Sequence, residues 1–324
     1  MKNTLLLLRH GKSDWSSNVD DMHRPIIDRG KRGAQRIGVW LAQQNLIPDK
    51  VISSPAERAR VTAQKTLKAA GQCDLSIIYD ERVYEASVND LLAVIAETSK
   101  STKTLMLVGH NPGLESLLCY LADKKVKMPA NGKLFPTATL AVFDLDILWK
   151  KIGQGCAHLD ALINPKTLPK LFPYPLPFGK DKRIRPAYYY SQSSVIPYRY
   201  KNGKLQILVV SSSKNKHFVV PKGIKEPGLS PQDSAAKEAY EEAGVLGKVV
   251  PAPIGTYVYK KWEADCEVIV YAMKVTKVLE DKHWEEQHRG RTWMSPKETA
   301  KALHQKSLHP MVLSLEKYLK NKKG

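Results

Sequence analysis

Two sets of side chains in this 324-residue chain are typed and spaced for chemistry. The first comprises Arg9-His10-Gly11 after the apolar run 4–8, Gly109-His110-Asn111 after the run 103–108, and Arg58 just beyond Ser53-Ser54-Pro55. A neutral imidazole can attack phosphorus and form a phosphohistidine. Guanidinium groups clamp phosphoryl oxygens and offset the charge of the transition state. A second histidine can donate to the same oxygens. A lone Arg-His-Gly would read as a polar turn; the ordered set, each member at a strand end, carries the functional reading. The second set is Glu238, Glu241 and Glu242, whose i, i+3, i+4 spacing puts three carboxylates on one helical face. Such a face is either simply solvated or offset by a hard divalent cation, which prefers carboxylates plus substrate phosphates. A metal there would polarise a pyrophosphate and activate a water.

The surrounding pattern says what must position these groups. Up to about residue 150, strand-like runs at 4–8, 50–53, 75–78, 103–108 and 138–143 alternate with helical patterns at 28–43, 56–70, 88–98 and 114–121. That alternation predicts α/β architecture with a mostly parallel sheet, whose ligand sites form outside the carboxyl ends of the strands. The stretch 161–187 carries Pro165, Pro169, Pro173, Pro175, Pro177 and Pro186 among basic residues, and reads as a semi-extended linker packed along one domain. Beyond it the pattern turns strand-rich, at 195–198, 205–210, 218–220, 254–259 and 267–275, with helices at 231–243, 296–303 and 311–319. The expectation is an α/β domain over 1–160, a proline-rich basic linker over 161–187, and an α/β/α sandwich over 188–324.

Composition narrows the partners. A formal net charge of +19 suits anionic ligands, although a basic surface can serve solubility alone. No nucleic-acid module is recognisable, so the expected partner is a polyanionic phosphorylated small molecule. Four scattered cysteines without a Cys-x-x-Cys pair argue against a disulfide framework or structural zinc and fit a reducing compartment. No apolar stretch approaches the roughly 20 residues of a membrane span, and a cytoplasmic location with no membrane partner is expected.

Longer runs carry a resemblance. LLLLRHGKSDW, RPIIDRGKRGA, SSPAERARVTAQ and VGHNPGLE resemble the histidine phosphatase superfamily, in particular its SixA-type branch, over about residues 3 to 165. The resemblance implies His10 as nucleophile, with Arg9, Arg58 and His110 forming the phosphate pocket and no cofactor. An acidic proton donor is common elsewhere in that superfamily; Glu85 is the nearest candidate, and a solvated loop carboxylate is the equal alternative. Residues 221 to 245, PKGIKEPGLSPQDSAAKEAYEEAGV, resemble the Nudix box, matching at Gly223, Glu238, Ala239, Glu241, Glu242, Gly244 and Val245. Leu229 stands where the first box glutamate belongs, and Lys237 replaces the arginine, keeping its charge but not its fork geometry. Over about 188 to 320 the chain is similar to the diphosphoinositol-polyphosphate and dinucleoside-polyphosphate branch. That similarity implies Mg²⁺ or Mn²⁺ on Glu238, Glu241 and Glu242, with Glu241 also catalytic, and highly anionic substrates, which the basic Arg199 and Lys222 would suit as contacts. Trp284 and Trp293 read as packing residues.

The leading expectation is a bifunctional phosphohydrolase. Its Nudix half would cut a phosphoanhydride in a nucleotide, dinucleoside polyphosphate or diphosphoinositol polyphosphate, and its first half would remove a terminal phosphoryl group. Two alternatives stand beside it. One is a phosphatase of phosphohistidine proteins with a ligand-sensing Nudix module; the other is a hydrolase that clears oxidised nucleoside triphosphates.

Overall fold

The structure is a computed structural model that describes residues 2–16, 18–212, 216–280, 284 and 286–322. The chain divides into two compact units, Met1–Pro186 and Ala187–Gly324.

In the first unit, strands β1 (Asn3–Arg9), β2 (Lys50–Ser53), β3 (Ile77–Tyr79), β4 (Thr104–Gly109), β5 (Leu140–Leu145) and β6 (His158–Ile163) form one sheet in the order β3-β2-β4-β1-β5-β6. The four strands β3, β2, β4 and β1 run parallel; β5 and β6 are antiparallel additions at one edge. Between the parallel strands lie α1 (Asp28–Gln43), α2 (Glu57–Ala69) and α3 (Val88–Ala96), and α4 (Gly113–Leu121) connects β4 to the antiparallel β5. The unbroken leucine run of β1 follows from burial on both faces. Leu5 and Leu7 pack under α3 and α4 with Leu91, Ile95, Leu114 and Leu118. Leu6 and Leu8 pack under α1 and α2 with Ile37, Leu41, Ala63 and Leu67. Each such side chain taken from water contributes roughly 1.5–3 kcal/mol.

The expected linker is not a separate element. Residues 164–186 belong to the first unit and contain a two-stranded sheet, β7 (Phe172–Tyr174) with β8 (Asp181–Arg183). Phe172 is buried against Val39 and Ala69, Gln43 donates to the Pro177 carbonyl at 2.9 Å, and Arg185 pairs with Asp28 at 2.6 Å.

The second unit is a mixed sheet between helical layers. Its strands are β9 (Ser191–Lys201), β10 (Lys204–Ser211), β11 (Phe218–Val219), β12 (Lys222–Ile224), β13 (Val245–Lys261), β14 (Ala264–Val278) and β15 (Arg291–Met294). The main order is β11-β10-β9-β14-β13, with β12 added to β9 and β15 to β10. Helix α5 (Pro231–Ala243) lays Ala235, Ala239 and Ala243 on one face beside Val195, Leu208 and Val210. Helices α6 (Pro296–Ala302) and α7 (His309–Asn321) cover the other face with Leu303, Val312, Leu315 and Leu319. This is the expected α/β/α sandwich. Among the described residues, no helix is long and apolar enough to cross a membrane.

Candidate functional sites

The first site is assembled by strand register. Arg9 of β1 stands opposite Gly109 of β4, so the residues that follow, His10 and His110, emerge side by side. The His10 amide donates to the Gly109 carbonyl at 3.0 Å, and the two imidazole centroids are 5.0 Å apart. Parallel β2 delivers Ser54 to the same rim, where its hydroxyl lies 2.8 Å from His110 Nε2. Helix α2 starts there and carries Arg58 in its first turn. Close approach of α1 to the His10 loop depends on Gly11 and Gly30. A Cβ on Gly30 would lie 2.4 Å from the Lys12 carbonyl oxygen, and one on Gly11 would lie 2.8 Å from that of Gly30.

His10 is in the state that its proposed role needs. Its Nδ1 lies 2.7 Å from the Gly11 carbonyl oxygen, an acceptor only, so Nδ1 carries the proton and Nε2 keeps its lone pair. Burial, and then the cations Arg58, Arg9 and Arg24, push its pKa down to about 3 against the pull of the Gly11 carbonyl. Burial, then His10 and Arg58, lower His110 to about 3 as well. Both rings are therefore neutral at physiological pH.

Two residues that sequence reasoning gave no role complete the pocket. Arg24 is 8% exposed, with its guanidinium 3.5 Å from the Trp15 ring centroid. Asp21 is bonded to Arg24 Nη2 at 2.7 Å, to Arg58 Nη2 at 2.6 Å and to the Tyr84 hydroxyl at 2.9 Å. Burial opposes ionisation of Asp21, but Tyr84 and Arg58 outweigh it and hold its pKa below the usual carboxylate range. Asp21 thus pairs with two of the three guanidiniums that line the pocket. Buried N–H groups of all three, Arg9 Nε, Arg24 Nε and Nη1, and Arg58 Nε, have no partner. Unpaired buried donors of that kind are costly unless a ligand satisfies them. The cavity they line is about 530 Å³. Glu85 sits at its rim, exposed, with φ 49°. Arg24 belongs to the RPIIDRG run quoted for the resemblance, which was the available signal; Asp21 had none.

The second site lies where α5 faces β12. The Lys222 amide donates to Glu242 Oε2 at 3.1 Å, and Arg289 pairs with Glu242 Oε1 at 3.0 Å. Glu238 rests on Gly223, where an added Cβ would fall 1.8 Å from Glu238 Oε1, so no larger residue fits there. Glu241 turns to Lys237 at 3.3 Å, and Lys237 also reaches Glu226 at 3.8 Å. Glu226, another residue missed from sequence, is thus a second carboxylate within reach of Lys237, while Leu229 is 41% exposed. Lys222 Nζ donates to the Tyr259 hydroxyl at 2.8 Å and to Gln192 Oε1 at 3.1 Å; burial, then Lys261, lower its pKa to about 8.

Among the described residues, no three His, Cys, Asp or Glu side chains are gathered as a metal site; Glu241 pairs with Lys237 and Glu242 with Arg289. One expectation needs correction. Arg199 is not at this site. It lies five residues along β9 from Ser194, the register partner of Lys222, or about 17 Å. There it donates to Gln206 at 2.9 Å and stacks on Trp293 at 3.9 Å.

The carboxylates nonetheless fit a cation. Burial, then Glu242 and Glu241, push Glu238 up to about 8. Burial also raises Glu242 despite Arg289. Like charges crowded away from water, without enough local positive charge, form a donor set suited to a hard divalent ion.

The class follows from the two constellations: one chain with two domains for phosphate compounds. The family models agree. The histidine phosphatase superfamily (branch 1) model matches residues 5–98, and the NUDIX domain model matches 192–315. An uncharacterized protein of Mycobacterium tuberculosis (strain ATCC 25618 / H37Rv) is 33% identical over 164 residues, covering 49% of this chain and all of that one. Nudix hydrolase 12, mitochondrial, of Arabidopsis thaliana is 31% identical over 142 residues, 37% of this chain and 69% of that protein. Diphosphoinositol polyphosphate phosphohydrolase 2 of Rattus norvegicus is 36% identical over 102 residues, 30% of this chain and 54% of that one. The second domain belongs to the Nudix family, the first matches the histidine phosphatase superfamily model over residues 5–98, and the chain is a phosphohydrolase.

Proposed function

We propose that the chain is a bifunctional phosphohydrolase with two independent reactions. The observation that carries this reading is His10: a buried neutral imidazole with Nε2 free, among guanidiniums whose buried donors lack a partner. In the first domain, Nε2 attacks phosphorus. The N–P bond forms as the bond to the leaving oxygen or nitrogen breaks, and water then releases phosphate. Arg9, Arg24 and Arg58 offset the charge on the equatorial oxygens, and His110 stands beside them. Asp21 is held ionised and cannot serve as the acid, which leaves the rim carboxylate Glu85 to protonate a poor leaving group.

In the second domain, Glu238, Glu242 and Glu241 would hold Mg²⁺ or Mn²⁺, which polarises a phosphoanhydride and activates water when bound. Lys222, fixed by Tyr259 and Gln192, adds positive charge toward an anionic substrate. Glu241, which pairs with Lys237, would also move the proton of the attacking water. Candidate substrates are a nucleotide, a dinucleoside polyphosphate or a diphosphoinositol polyphosphate, and similarity to the rat diphosphoinositol polyphosphate phosphohydrolase supports the last. One observation favours a second reading, in which the Nudix half only senses such a ligand: Lys237 holds Glu241 apart from the other carboxylates.

The test is a panel of those substrates with product identification, run with Mg²⁺ on wild type, Glu241→Gln and His10→Ala. Cleavage lost in Glu241→Gln supports the hydrolase; binding without cleavage by wild type supports the sensor. Phosphate release untouched by His10→Ala refutes the first site.

A further inference from the structure

A second cavity, of about 500 Å³, adjoins the His10 pocket and shares Arg9, Lys12 and Thr137 with it. Its walls bring together Arg9, Lys12, Arg29, Arg36, Lys133 and Lys166. Glu115 is the acidic residue lining it, and its carboxylate already accepts from Asn111 at 2.7 Å and from the Phe135 amide at 3.3 Å. The floor is bare backbone at Gly30 and Gly33 of α1. Arg9 joins the two cavities. Its Nη1 donates to the Phe135 carbonyl at 2.7 Å, while its Nε is buried and unpartnered. Arg36 likewise keeps a buried Nε without a partner, and its other nitrogens reach the Pro165 and Lys170 carbonyls only at 3.4 Å. The shared wall is held in a costly conformation. Ala138 has φ 60°, and its amide donates to both the Arg9 and His10 carbonyls, at 3.1 and 3.0 Å.

A single phosphoryl group uses the donors around His10 and leaves Glu115 as the one carboxylate among this groove's lining cations. We infer that the groove is a subsite for the further phosphates of a small polyphosphorylated substrate whose terminal phosphoryl group sits at His10. This rests on the proposed role of the His10 pocket and adds the substrate class. A protein phosphohistidine brings one phosphoryl group and no second anionic cluster, so the groove argues for a small polyanion over a protein partner.

The experiment is competition against p-nitrophenyl phosphate hydrolysis by the full chain, in EDTA so that the Nudix half is silent. The inhibitors are inorganic tripolyphosphate and orthophosphate. Wild type should bind tripolyphosphate about tenfold or more tighter than orthophosphate, with the advantage shrinking as salt rises. Lys133→Glu with Lys166→Glu, both exposed positions, should raise the tripolyphosphate Ki about tenfold and that of orthophosphate less than about twofold. Lys100→Glu with Lys103→Glu, the same charge change before β4, should move both by less than about twofold. Equal inhibition by the two anions, or equal shifts in the groove and control variants, overturns the inference. So does a phosphohistidine peptide that competes better than tripolyphosphate and ignores Lys133→Glu and Lys166→Glu. If His10→Ala still hydrolyses the ester, the chemistry assigned to the pocket is wrong. Calorimetric titration of tripolyphosphate into wild type and the Lys133→Glu, Lys166→Glu protein then decides the groove separately, since weaker binding in the variant supports it and identical binding ends it.

Discussion

The two sites handle phosphate with opposite local imbalances of charge. Around His10, three guanidiniums line the pocket, two of them share Asp21, and buried donors of all three stay unpaired. Around Glu238, burial and then the neighbouring Glu242 and Glu241 push one carboxylate up to about 8. The first pocket needs only its anionic substrate. The second, on the proposed reading, takes a cation before its anionic substrate. A site with its positive charge built from arginine is ready when the chain folds, whereas one that takes its charge from a metal is built as a set of repelled groups.

The sharpest break of this comparison is a crossed experiment. His10→Ala removes the nucleophile and should lower phosphomonoester or phosphoramidate turnover by about 10³–10⁴-fold, leaving phosphoanhydride cleavage unchanged. EDTA should do the reverse. Initial rates on one substrate of each kind, with and without chelator, read both arms. If chelator silences both activities, the two sites do not differ as argued.

Next in size is Arg24→Ala. The side chain is buried, stacks on Trp15, lines the pocket and keeps buried N–H groups without a partner. Its loss should cost about 10²-fold in kcat/KM at the first site, comparable to removing one preorganised transition-state donor. A Lys at this position should recover only part of that, because it lacks the fork. A loss of less than about threefold would leave Arg24 structural.

What could be read from the sequence divides along the same line. His10, His110 and Arg58 were legible because each follows a short apolar run, and parallel register then leaves them no choice but to meet. Helices α1 and α5 were legible to the residue, as 28–43 and 231–243, because their periodicity is bounded by clear turns. Arg24, Asp21 and Glu226 were not. They sit in loops, where no period ties position to direction, and a long-range partner decides the role. Strands β12 and β15 were hidden because Lys-Gly-Ile and Arg-Thr-Trp-Met are too short to alternate. β13 extends back to Val245 through Pro251 and Pro253 because register shifts between Val249 and Gly255 absorb the prolines. Arg199 was placed by charge alone, which says nothing about where a strand ends.

Acid should separate the two domains by sign. His10 and His110 have folded pKa values near 3, well below the 6.5 of an unfolded histidine. The folded state binds fewer protons, so this stability is fully present above pH 6.5 and is lost as pH falls below it. The slope is up to about 1.4 kcal/mol per pH unit for each histidine. Glu238 is raised, so in metal-free protein its contribution runs the other way and declines as pH rises from about 4.5 to about 8. Urea unfolding at pH 7, 6 and 5, followed by hydrogen exchange of β1 and β14 amides, should show the first domain weakening and the second strengthening. The same direction in both domains would contradict the charge contrast.

The smallest expected effect concerns the place where the second site departs from its family pattern. Lys237 spans Glu241 at 3.3 Å and Glu226 at 3.8 Å, and its charge stands 45% exposed. Exposed pairs of this kind are worth up to about 1 kcal/mol, so Lys237→Arg should alter stability by less than that. Its effect belongs to kinetics. An arginine fork can hold both carboxylates in fixed geometry, where an ammonium holds them as a point charge. If Lys237 already positions Glu241 through Glu226, then Lys237→Arg should change Mg²⁺-dependent kcat by no more than about threefold, and Glu226→Gln should lower it by a similar factor. If Lys237 instead keeps Glu241 out of the reaction, Glu226→Gln leaves kcat unmoved and Lys237→Gln raises it. The sign of those two variants decides whether the replaced box residues were compensated by Glu226 or left as a brake on the second site.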